Sequence, residues 1–263
     1  MPFQNMHMIQ CYQGILIFIF FIFIGSFLNV CIYRIPREES IVFPGSHCPT
    51  CGNTLGPYEL IPVLSWVFLR GRCSTCRVSI SPRYPLVELL TGLLATLVYQ
   101  RFGLSVSFLF FIYLTLLLVV MTFIDLDHQI IPDGLTLLVA AGGLCYLAYG
   151  LIIDNGISIG EAALGIVIGG GFFLVVAIIS KGGMGGGDIK LMATLGIWFG
   201  WRWILMVMFL SVLIGGVAAI ILLLMSLKGR KETIPFGPFI AVGAYVTALY
   251  GNSLWFWYAS RFL

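Results

Sequence analysis

Charge is what this chain has least of. Of its 263 residues, 10% are Asp, Glu, Lys or Arg, against roughly 25% in an ordinary soluble domain. A soluble fold needs polar side chains for its surface, so this shortage excludes a soluble enzyme. Aspartate is scarcer still: Asp125, Asp127, Asp133, Asp154 and Asp188 are the whole set. No Gly-x-Gly-x-x-Gly follows a strand, so no Rossmann-type site is expected. The N-terminus has neither a basic stretch nor a small-residue cleavage site, which argues against a cleaved signal peptide. What is abundant is apolar: 60% hydrophobic residues and 14% aromatics, 21 of them Phe. That excludes a disordered chain and a disulfide-stapled secreted module. A polytopic membrane protein remains.

A membrane-spanning helix needs about 20 apolar residues. Apolar runs place spans near 13–33, 85–101, 104–124, 131–153, 158–180, 188–200, 202–226 and 236–258. The runs are long and apolar on all faces, unlike the short alternating segments of a β-barrel. The expected fold is all-α, with about eight transmembrane helices. Span 188–200 is short for a full bilayer and reads as a half-helix, or as one merging with glycine-rich backbone.

Lys and Arg placement sets the orientation. With the loop after the first span inside, the inner side holds Arg34, Arg37, Arg70, Arg72, Arg77, Arg83, Lys181, Lys190, Lys228, Arg230 and Lys231. The outer side holds Arg101, Arg202 and Arg261. The net charge of +3 is therefore a topology signal, and no nucleic-acid partner is expected. The lipid bilayer is the surrounding partner.

Residues 34–84 form the one sizeable polar segment, a cytoplasmic loop between the first two spans. It carries Cys48, Cys51, Cys73 and Cys76: two C-x2-C pairs separated by 21 residues. Two such pairs offer four thiolates to one tetrahedral ion, as in a zinc ribbon. The loop faces the reducing side, which disfavours disulfides. Four Cys ligands leave no open position, so a structural zinc is expected. His47 reads as a bystander, and Cys11, Cys31 and Cys145 as apolar packing residues.

Ionisable residues beside apolar spans are functional candidates by default. Asp125 ends one span, just before Ile131-Pro132-Asp133. Asp188 opens another, after a glycine-rich run ending in Gly185, Gly186 and Gly187 and just before Lys190. Two carboxylates at one membrane face suit an aspartic protease, because they share a proton instead of both ionising. The same acids also suit a proton-coupled transporter, which places glycine-rich breaks before short helices. A third reading is a non-catalytic membrane scaffold. An Asp at a helix N-terminus also commonly acts as a plain cap. Spacing alone leaves these open. Spans one, three, five and seven hold almost no polar residues, which counts against the transporter.

Several motifs together resemble one family. Gly185-Gly186-Gly187-Asp188 reads as the G-x-G-D signature of intramembrane aspartic proteases, and the run Gly183 to Ala193 looks like that of bacterial type IV prepilin peptidases. Gly25-Ser26-Phe27-Leu28-Asn29-Val30 with Tyr33-Arg34-Ile35-Pro36 is similar to that family's opening motif, and Arg83 to Gly92 to its motif after the cysteine loop. The resemblance implies cleavage of the basic leader of prepilins and type II secretion pseudopilins at the cytoplasmic face of the bacterial inner membrane, with Asp125 and Asp188 as the catalytic pair. It also implies methylation of the new N-terminal residue with S-adenosylmethionine, with Arg83 and Glu88 as candidate methyl-transfer residues. A helix-end ion pair is the alternative for those two. The implied organisation is a first helix over 1–33 with a short outer N-terminus, a methyltransferase-associated loop over 34–84 and a peptidase core over 85–263. The implied partners are the pilus or type II secretion machinery.

Overall fold

The computed structural model of the chain describes residues 2–154, 156–181, 183–225 and 234–262. Lys228, Arg230 and Lys231, used above for orientation, lie outside the described residues. The fold is helical: α1 (Pro2–Arg34), α2 (Leu64–Phe68), α3 (Arg83–Phe102), α4 (Val106–His128), α5 (Asp133–Ile152), α6 (Ile159–Ile179), α7 (Gly186–Leu224) and α8 (Gly237–Phe262). Among the described residues six helices are long and apolar enough to cross a membrane: α1, α4, α5, α6, α7 and α8. The eight apolar runs map onto these helices with two differences. Helix α3 carries Arg83, Glu88 and Arg101 in 20 residues and is not among the six. Spans 188–200 and 202–226 are one element, α7, with two arms meeting at Gly200. Gly200 has φ 63° and ψ 179°, a non-helical conformation that glycine adopts without steric cost.

The chain forms two compact units, 1–120 and 121–263. In the first, α1 packs on α3. The crossing is close where glycine replaces a side chain. A methyl at Gly25 would lie 2.8 Å from Glu88 Cα, and one at Gly92 would lie 2.9 Å from the Phe18 carbonyl. The two motifs at 25–30 and 83–92 therefore meet in space. Asn29 adds a bond from Nδ2 to the Tyr84 carbonyl at 3.1 Å. Arg34, which ends α1, is buried and turns into the loop instead of facing water as a simple basic stop. Its guanidinium donates to the carbonyls of Ser40 (2.8 Å) and Pro44 (2.7 Å).

In the second unit α7 packs on α5, α6 and α8. Small residues again allow close approach, the usual way apolar helices associate in lipid. A methyl at Gly169 of α6 would lie 2.7 Å from the Met192 carbonyl of α7. Trp198 fixes the first arm of α7 to α5. It is buried, donates from Nε1 to the Val139 carbonyl at 2.8 Å, and stacks on Tyr146 at 5.5 Å. Phe173, Phe236 and Phe239 cluster beside Gly215 and set the start of α8.

Candidate active site and cysteine cluster

Helix α4 ends just beyond Asp125. Gln129 takes φ 53° and returns its N–H to the Asp125 carbonyl at 2.9 Å, the left-handed stop common at helix ends. Pro132, extended at φ −62° and ψ 131°, is the N-cap of α5. Asp133 is thus the first helical residue of α5, not its cap. Its carboxylate instead accepts from Lys190 Nζ at 2.7 Å, an exposed ion pair joining the first turns of α5 and α7. Lys190 stands on α7 itself and is engaged there.

Helix α7 starts after Gly185, its N-cap, so Asp188 is the third helical residue and not the cap. Its Oδ2 turns back toward Gly185. Asp125 and Asp188 are 5% and 9% exposed, two buried acids from separate helices. Both flank Ile131, which faces Gly187 beside Asp188 and Gly237 beside Asp125. Asp127, two residues from Asp125, falls on the other side of α4 and is exposed. Gly185 and Gly186 are exposed and Gly187 half-buried, so open backbone leads up to a buried acid.

The hydrogen bonds of the two acids differ. Asp125 Oδ2 accepts the backbone N–H of Gly237, the first residue of α8, at 2.9 Å. Asp188 Oδ1 is buried and has no hydrogen-bond partner among the described residues. Ile131 sits between the helix starts. A methyl at Gly187 would lie 2.8 Å from Ile131 Cβ, and one at Gly237 would lie 3.3 Å from Ile131 Cδ1.

The four cysteines also come together, with every Sγ within 4.8 Å of the others and Cys48 Sγ 3.8 Å from Cys76 Sγ. Four sulfurs about 2.3 Å from one tetrahedral ion stand about 3.8 Å apart, so the set fits a metal. Each pair lies in the same backbone turn. Gly52 N–H returns to the Cys48 carbonyl at 2.9 Å, and Arg77 N–H to the Cys73 carbonyl at 3.1 Å. Both Gly52 (φ 69°) and Arg77 (φ 60°) are left-handed. The Cys51 and Thr50 amides pull the Cys48 thiol down to about 6. The Cys76 and Thr75 amides lower that of Cys73. At Cys76 the downward pull of the Val78 amide is outweighed by burial and the neighbouring thiols, leaving it raised to about 11. Thiolate is the form that binds metal. His47 is exposed and bonded to the Gly45 carbonyl, outside the cluster. Cys31 is buried as expected, whereas Cys11 and Cys145 lie exposed on their helices.

Of the two methyl-transfer candidates, Arg83 is half-buried at the start of α3 and Glu88 is buried one turn on. Glu88 Oε2 accepts the Val63 N–H, which ties α3 to the loop.

Comparison with known proteins agrees with this geometry. Residues 19–102 match the bacterial peptidase A24 N-terminal domain, and residues 112–220 match the type IV leader peptidase family. A prepilin leader peptidase/N-methyltransferase of Aeromonas hydrophila is 38% identical, over 94% of each chain. The chain belongs to the type IV leader peptidase family. Proteins of the same name from Pseudomonas aeruginosa (35% identical, 88% of each chain) and Bacillus subtilis (36%, 91% of this chain and 95% of the other) are also similar. No solved structure matches.

For this leader peptidase, sequence reasoning named the acids and the cysteines but missed Gly237 and the bridging position of Ile131. The available signal for Gly237 was its place between two prolines, in Pro235-Phe236-Gly237-Pro238. Such a tight segment before an apolar run marks a helix start.

Proposed function

We propose that this chain removes the leader of prepilins and type II secretion pseudopilins at the cytoplasmic face of the bacterial inner membrane, and then methylates the new N-terminus. The observation that carries the cutting reaction is a pair of buried carboxylates, from α4 and α7, on either side of Ile131. Two buried acids serving one site share one proton. The ionised carboxylate takes a proton from water, which attacks the scissile carbonyl. The protonated partner polarises that carbonyl and then protonates the leaving amine. Asp125 and Asp188 take these roles. Gly185, Gly186 and Gly187 leave room for the substrate backbone, and Lys190 with Asp133 holds α7 against α5. In this reading the pilin's apolar helix lies in lipid and its cleavage point at the inner interface. All eight apolar runs lie in the membrane, with α3 and each arm of α7 counted among them.

The four cysteines hold a structural zinc as a ribbon within the loop 34–84, which serves methyl transfer, while the chain from 85 onward carries peptide cutting. S-adenosylmethionine, when bound, supplies the methyl group. Arg83 and Glu88 are the candidate residues on this side, at the α3–loop junction. The pilus or type II secretion machinery receives the product. One experiment tests the whole reading: incubate the detergent-solubilised protein with a prepilin and the methyl donor, then weigh the product. Loss of the leader mass followed by gain of a methyl is expected. An unchanged prepilin would favour a transporter or a scaffold.

A further inference from the structure

Beyond the two acids, the catalytic surroundings contain two backbone amides close to a carboxylate, that of Gly237 at Asp125 and that of Gly185 at Asp188. We propose that the Gly237 amide is a positioning group for Asp125, and that it makes Asp125 the ionised member of the pair and Asp188 the proton carrier. This rests on the reading of the two acids as the cutting pair.

Three observations support it. The N–H of Gly237 reaches Asp125 Oδ2 at 2.9 Å between buried groups. A backbone N–H only donates, so it favours the acceptor-only carboxylate over the carboxylic acid. It is also the first amide of α8, where the helix dipole adds partial positive charge. Asp188 has the Gly185 amide beside Oδ2, but its Oδ1 is buried without a partner among the described residues, an orphan that the buried oxygens of Asp125 do not show. A buried lone oxygen is tolerated better on a neutral acid than on an anion. The charged groups at these helix starts do not reverse the difference. Lys190 and Asp133 pair with each other, and Asp127 is exposed. Space enforces the contact, since a methyl at Gly237 would stand 2.7 Å from Asp125 Oδ2.

Two substitutions separate the donor from the space around it. Gly237→Ala adds a methyl and keeps the N–H. Gly237→Pro adds ring carbons and removes the N–H, at a first helical position where proline is accepted. Cleavage of a prepilin is measured as kcat and KM, with thermal melting as the fold check. The expected result is a lower kcat for proline than for alanine, by about 10- to 100-fold, the range for a hydrogen bond to a charged group. KM and melting should match between the two. Equal kcat values, or a proline variant as fast as the parent, overturn the proposal. Should the proline variant not fold, infrared spectroscopy of the carboxyl region decides. The protonated-carboxyl band of the pair should vanish in Asp188→Asn and persist in Asp125→Asn, and the reverse pattern overturns the proposal. Failure of the underlying reading is seen separately, as cleavage by Asp125→Asn.

Discussion

Glu88 of α3 accepts the backbone N–H of Val63 at 2.7 Å, and Val63 is held at φ 62° and ψ −53°. A β-branched residue rarely adopts positive φ, at a cost of order 1–3 kcal/mol. The buried carboxylate is thus one of the contacts that hold a strained turn of the loop in place. Glu88→Ala should leave that N–H unpaired and cost about 1–3 kcal/mol. Faster hydrogen exchange across residues 61–69 is the measurement. Methylation should fall further than cleavage, and equal loss of both would indicate general destabilisation.

The acids give the sharpest test of chemistry. Asp125→Asn and Asp188→Asn should each lower cleavage by at least about 100-fold, the smaller end of what a general acid or base contributes. Helical circular dichroism should be unchanged. Substantial cleavage by either variant would remove the assignment.

The cysteines predict metal content. Elemental analysis of the purified protein should find one zinc per chain, and Cys51→Ser or Cys76→Ser should lower it. Since metal binding and folding are coupled in such sites, the loop should become protease-sensitive while the helices stay intact. Methylation should again fall further than cleavage.

Packing between α6 and α7 predicts a contrast between two glycines of the same helix. Gly169→Ala drives a methyl against the Met192 carbonyl, whereas a methyl at Gly171 meets nothing within 4 Å. The first should destabilise by about 1–3 kcal/mol, as overpacking does. The second should leave thermal melting in detergent nearly unchanged. Equal melting temperatures would falsify the close approach.

Much of this was legible from local signals. Apolar runs showed the helices because lipid demands them, and the cysteine spacing showed a cluster because two x2 turns fit one ion. Asp125 and Asp188 stood out because an acid next to an apolar span is costly. What stayed hidden depends on distant parts of the chain. Gly237 lies 112 positions from the carboxylate it meets. Arg34 read as a topological stop, yet it closes the turn over 40–45. Lys190 follows Asp188 by two positions, yet its partner is Asp133, 57 positions away. The Val63 strain has no composition signal at all, since valine is an ordinary residue for the segment.

The hinge at Gly200 bears on how far this enzyme can drift in length. Asp188 sits on the near side of that hinge, in an arm tied to α5 by Trp198. An added or lost residue within this arm would swing the acid by about 100° around the helix axis and shift it by about 1.5 Å. Beyond Gly200 the same change falls on the far arm. The chain therefore has a calibrated segment and a tolerant one within a single helix, and the buried carboxylate of Asp188 lies in the calibrated one.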